Sequence, residues 1–178
     1  MSTRFDWRHL LGGGLGGLVV LVGVIVLVRG VQLNSRQVAP RDTAPIAVPP
    51  DAPQRLARAI QFETVTKRDP AALDSAAYRD LYRYLETAFP AVHDTLNVTP
   101  VNDLSRLYTW RGTDPSKAPI VLMAHVDVVP VEPGTRGEWT HPPYGGAVAD
   151  GFVWGRGALD DKTSAVALLE ALSTLLEA

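Results

Sequence analysis

The stretch Ile120-Val-Leu-Met-Ala-His125-Val-Asp127 constrains this chain more than any other. A short apolar run follows Pro119 and ends in an imidazole and a carboxylate two positions apart, which reads as a buried strand over Ile120–Ala124. Side chains alternate faces on extended backbone, so His125 and Asp127 are expected to point the same way. Burying both is costly unless they bind or orient something. Spacing alone leaves metal binding and buried hydrogen bonding close as readings of His125. Asp127 makes the metal reading competitive, because a metal-bound His commonly donates its other N–H to a carboxylate.

A second constellation is Gly155-Arg-Gly157-Ala-Leu-Asp160-Asp161-Lys162. Its plain reading is a helix N-terminus, with one Asp capping and the other facing the dipole. The functional alternative is a carboxylate bridging two divalent ions ~3.5–4 Å apart, with glycines on both sides of Arg156 letting backbone pass close by. Lys162 pairs with one of the Asp residues or holds a substrate carboxylate. His141, in Trp139-Thr-His-Pro-Pro143, either lines a cleft or packs its loop, and His93 is expected at the surface. No Gly-x-Ser-x-Gly pattern and no cysteine are present, so a serine or cysteine nucleophile has no support.

Lack of cysteine also rules out disulfides and thiolate zinc sites, leaving His, Asp and Glu to hold any metal. A net charge of -2 over 178 residues gives no reason to expect nucleic acid. Leu10–Val28 is uncharged and flanked by arginines. As a helix it spans ~28 Å, close to a bilayer's hydrocarbon thickness. This predicts a single transmembrane anchor with the domain on the exported side; the competing reading is a cleaved signal peptide and a secreted protein. Gly12, Gly13, Gly16 and Gly17 form small-xxx-small pairs that would suit packing of a second such helix, hence a homodimer. The expected organisation is a tail over 1–9, the anchor over 10–28, a Pro-rich linker over 29–50 and a domain over 51–178.

Within the domain, Asp51-Ala-Pro53 starts a short helix to about Phe62, and Thr64-Val-Thr66 reads as a brief extended piece. Asp74 or Ser75 caps a helix that Phe89-Pro90 ends near Ala88. Asp94–Val101 and Leu104–Arg111 suggest strands joined at Asn102-Asp103, and Val128–Tyr144 a long loop. Ala147–Ala149 and Phe152–Trp154 flank an Asp150-Gly151 hairpin turn, and an amphipathic helix follows Lys162, with Val166, Leu169, Leu172, Leu175 and Leu176 inward. The fold class expected is α/β, a mixed sheet flanked by helices.

Three blocks, Met123-Ala-His125-Val-Asp127-Val-Val-Pro130, Glu138-Trp-Thr-His-Pro-Pro-Tyr144 and Asp150–Lys162, resemble the aminoacylase and carboxypeptidase S zinc metallopeptidases, closest to the carboxypeptidase S-like branch that includes N-acyl amino acid hydrolases. The resemblance implies that His125 ligates one zinc, that Asp160 bridges two, and that Asp127 supports the site as a catalytic residue. It implies small peptides or N-acyl amino acids as substrates. Thr163 departs from the glycine usual after the lysine. The family's general-base Glu, its remaining acidic ligands and a late His ligand lie downstream of these blocks, and neither Glu170 nor Glu177 matches them. The expectation is therefore the N-terminal portion of a dizinc amide hydrolase, inactive alone. The alternative is a non-catalytic membrane-tethered module with an incomplete metal site.

Overall fold

A computed structural model describes residues 7–33, 37 and 47–177, with side-chain surroundings in the first helix from Leu15 onward and none given at residue 70. The chain divides into two compact units, Met1–Pro45 and Ile46–Ala178. The first unit contains helix α1 (Trp7–Val31). Among the described residues no helix is long and apolar enough to cross a membrane. The transmembrane anchor over 10–28, and the single-pass membrane placement built on it, are corrected on this finding. Most of the expected linker over 29–50 lies outside the described residues.

In the second unit, α2 (Ala52–Ile60) begins with Pro53 in its first turn, where a missing N–H costs nothing. Asp51 stands at the N-cap but makes no side-chain cap bond, and engages Arg55 instead. In α3 (Ser75–Ala88) the expected cap forms, Asp74 accepting from the N–H groups of Ala76 and Ala77. Pro90 does more than stop α3: it occupies the first turn of a further short helix, α4 (Pro90–Thr95), which takes residues expected to start a strand. Strands β1 (Asn97–Val101) and β2 (Ser105–Thr109) pair antiparallel, with positive φ at Asn102 and Asp103 in the turn. Strands β3 (Ala147–Ala149) and β4 (Phe152–Trp154) form the expected hairpin, closed by Asp150 and Gly151 at φ 53° and 80°, the left-handed pair a two-residue turn needs. The chain closes with α5 (Lys162–Glu177).

The core is helical. Tyr78, Leu81 and Leu85 of α3 pack with Phe89, Val92 and Leu96, with Ala59 of α2, and with Val166 and Leu169 of α5. Leu172 and Leu176 line the edge of this cluster, while Leu175, expected inward, is exposed. His93, expected at the surface, is half-buried: Nδ1 lies 2.9 Å from the Phe89 carbonyl and Nε2 3.1 Å from the Tyr108 hydroxyl, tying the β1–β2 hairpin to the helices. Arg55 of α2 grips Glu170 of α5 with two bonds of 2.5 and 2.6 Å. Glu170 side-chain exposure is 11 % and that of Arg55 is 20 %. Glu170→Ala should cost about 2 kcal/mol, below the 3–5 of a fully buried pair because Arg55 keeps some solvent and Asp51; urea unfolding of variant and parent checks it.

The strand expected at Ile120–Ala124 does not form. Ile120, Val121, Leu122 and Met123 are all strongly exposed, and the run pairs with nothing among the described residues. An apolar run becomes a strand only when neighbours take up its N–H and C=O groups. Pairing begins a few residues later, as a parallel bridge between Val65 and Val128. The described strands thus form two separate hairpins, not the mixed sheet expected from the sequence.

Candidate metal centre

Three segments meet around His125. The first is the strap Thr64–Thr66, which leaves α2 and runs beside Val126–Val128. Thr66 N–H donates to the Val128 carbonyl and Val128 N–H to the Thr64 carbonyl, both at 2.9 Å, while the Thr64 hydroxyl donates to the Val126 carbonyl at 2.5 Å. Tyr78 closes this from the core side, donating its hydroxyl to Thr64 O at 3.1 Å. Val128 is buried, so the segment carrying His125 and Asp127 is anchored at its C-terminal end.

The second segment is His125-Val-Asp127 itself. His125 Nδ1 lies 3.0 Å from the Asp127 carbonyl and 3.3 Å from its Oδ1. Two oxygens on that side, both acceptors, place a ring proton on Nδ1. The third segment supplies what Nε2 meets: Asp160 Oδ1, at 2.9 Å. Asp161 takes a different part, accepting from the His125 backbone N–H at 3.3 Å and bonding Ser164 in the first turn of α5. The two readings of the Asp pair are therefore divided between its members. Asp161 serves the helix start, and Asp160 faces the imidazole.

Electrostatics follow from this arrangement. Partial burial pulls the His125 pKa down. The opposing bonds to the Asp127 carbonyl and Asp160, with the charges of both carboxylates, outweigh it and leave the pKa raised. The Asp161 carboxyl is lowered, chiefly by its bond with Ser164. Asp160 is 87 % exposed and His125 49 %, so the pair opens to solvent.

Lys162 pairs with neither Asp and faces no open site. It is 1 % exposed, and its ammonium donates to the carbonyls of Ala59 at 2.9 Å and Phe62 at 2.6 Å, capping the C-terminal end of α2. Burial lowers its pKa to about 8, against an opposing pull from Glu63. The flanking glycines serve packing. Gly157 has φ 88°, and a Cβ there would stand 2.7 Å from Val128 Cγ1 and 3.3 Å from Lys162 Cδ. The turn carrying Asp160 is thereby pressed against the same Val128 that anchors Asp127.

His141 packs against Trp154 and lines a surface recess. Its ring lies 5.1 Å from that of Trp154, with Nε2 buried and unpartnered, and it lines a recess of about 360 Å³ with Thr135, Glu138, Trp139 and Trp154.

His125 and Asp160 fit the demands of zinc as two ligands. An imidazole nitrogen and a carboxylate oxygen 2.9 Å apart can share one ion with bonds of roughly 2.0–2.2 Å, and Nδ1 already has the acidic partner a ligating His uses. Among the described residues no group of three or more His, Asp or Glu side chains gathers to hold an ion.

Residues 121–178 match the family model described as Peptidase family M20/M25/M40. This stretch belongs to that family. The match begins inside the exposed apolar run and takes in His125, Asp127 and Asp160. Carboxypeptidase S of Saccharomyces cerevisiae is 41 % identical over 130 residues, covering 69 % of this chain and 23 % of that protein. The human N-fatty-acyl-amino acid synthase/hydrolase PM20D1 is 42 % identical over 126 residues, covering 69 % and 24 %. Among solved structures, human carnosine dipeptidase 1 superposes with a TM-score of 0.51 at 25 % identity, over 71 % of this chain and 28 % of that one, in keeping with an α/β fold. The chain spans about a quarter of the length of the curated relatives it matches.

Proposed function

We propose that this chain carries part of the metal centre of a zinc-dependent amide hydrolase acting on small peptides or N-acyl amino acids. The observation that carries the reading is the His125 Nε2–Asp160 Oδ1 approach, with Nδ1 turned to Asp127. His125 and Asp160 would hold zinc, and Asp160, with its second carboxylate oxygen, is suited to bridge a pair of ions. Asp127 keeps the imidazole in the Nδ1–H tautomer. Bound zinc supplies Lewis acidity to the amide carbonyl and to the attacking water. The substrate class rests on the names of the relatives and on the family resemblance of the three blocks. In this reading the general base and further ligands come from sequence beyond these blocks, so the chain alone, with two ligands, binds zinc weakly and does not turn over substrate.

A chimera tests the activity. Yeast carboxypeptidase S whose matched segment is replaced by residues 51–178 of this chain is expected to hydrolyse small peptides or N-acyl amino acids and to lose that activity to a chelator. Chelator-insensitive turnover, or a folded chimera with none, contradicts the proposal. The second outcome favours the non-catalytic alternative.

A further inference from the structure

Thr66 is the one side chain outside the family-matched residues that bonds directly to the Asp127 carboxylate among the described hydrogen bonds. Its hydroxyl donates to Asp127 Oδ2 at 2.5 Å. The other carboxylate oxygen, Oδ1, is the one that faces His125 Nδ1 at 3.3 Å. The two contacts divide the carboxylate, one oxygen for each neighbour. Asp127 is nearly half exposed, so packing alone does not fix its rotation. Thr66 itself is fixed through its main chain, because its N–H is bonded to the Val128 carbonyl and the strap is closed by Thr64 and Tyr78.

We propose that Thr66 is a positioning residue for the metal centre: its hydroxyl holds Asp127 so that Oδ1 meets His125 Nδ1 and Nε2 is presented toward Asp160. The proposal rests on the zinc reading above. The chain of contact runs from the hydroxyl through the Asp127 carboxylate to the imidazole, so Thr66 touches neither ion nor substrate. A hydroxyl in this place sets ring orientation, which is how outer partners tune a metal-bound His. The backbone bonds of residue 66 need no side chain. Removing the hydroxyl alone therefore leaves the strap paired.

The test uses the full chain with Thr66→Val, which keeps the shape and loses the donor, and Thr66→Ser, which keeps the donor and loses a methyl. Zinc affinity is measured by titration calorimetry, and cobalt substitution reports ligand geometry through its visible d–d bands. Thr66→Val should weaken zinc roughly tenfold, the low end of the cost of losing an outer partner, and should alter the cobalt spectrum. Thr66→Ser should restore both, with thermal unfolding of the metal-free chain alike in all three proteins. Wild-type affinity and spectrum in Thr66→Val overturn the role of Thr66 alone. If Thr66→Ser is as impaired as Thr66→Val, the methyl and not the hydroxyl matters, and the proposal falls. Wild-type chain that takes up neither metal overturns the zinc reading and this proposal with it.

Discussion

Asp160→Asn is expected to weaken zinc binding by at least ~100-fold, more than the ~10–100-fold typical of an outer partner, because it removes the charge of a ligand. The same change should leave thermal stability of the metal-free chain within ~0.5 kcal/mol, the range of an ordinary surface substitution. Asp160 is 87 % exposed, and its described partner is the His125 ring. The separation of the two effects makes the prediction informative: a structural carboxylate would cost stability, whereas a ligand costs affinity. Asp161→Asn should do the reverse in kind, weakening the start of α5 through Ser164 with a smaller effect on zinc. Calorimetric titration and thermal unfolding of the two variants, run side by side, distinguish these roles.

The second large effect is a pH dependence of stability from Lys162. Its pKa is lowered from 10.5 to about 8 by burial. Below pH 8 the lysine is charged in both folded and unfolded chains, and the folded state carries the full cost of burying the ammonium. Between pH 8 and 10.5 the unfolded chain holds more protons than the folded one, so stability rises with pH. At about 1.4 kcal/mol per unit of pKa difference, the contribution from Lys162 totals about 3 kcal/mol across that window. Lys162→Met keeps most of the stem and removes the titration, so its stability relative to wild type should fall by that amount between pH 8 and 10.5. Other lysines and tyrosines titrate in both proteins and cancel in the difference. Urea unfolding at a series of pH values measures it; parallel stability curves would mean the ammonium is solvated and the cap on α2 is not formed.

Local signals in the sequence account for much of the second unit. Asp74 caps a helix and Asp150-Gly151 turns a hairpin because each acts on its own neighbours. Pro90 was legible as a stop but also starts α4, since proline suits a first helical turn as well as it ends a preceding one. The run Ile120–Ala124 shows the limit of such reading. Hydrophobicity predicts what a segment would bury, whereas a strand requires partners, and none is present among the described residues. The apolar stretch over 10–28 failed as an anchor on length and apolarity of the described helix.

At the site, His125, Asp127 and Asp160 were visible from residue type and spacing. Their meeting was expected as two halves of one site, but what seats it, Gly157 pressing the Asp turn against Val128, had no local signal. Lys162 was misread from its neighbours in sequence: an ammonium beside two carboxylates suggested an ion pair, but the helix start turns it inward to Ala59 and Phe62. Thr66 had a signal in the alternation of Thr64-Val-Thr66, which puts both hydroxyls on one side of an extended strap. Nothing local said that His125-Val-Asp127 would lie along that side.

The central claim, that His125 and Asp160 hold one zinc ion, is tested most directly by X-ray absorption at the zinc edge. Zinc-loaded wild-type chain should show a first shell of nitrogen and oxygen at roughly 2.0–2.2 Å, with the outer scattering of an imidazole ring. In His125→Ala that outer scattering should vanish. A zinc spectrum with the same imidazole signature in His125→Ala would place the ion on another histidine and contradict the account.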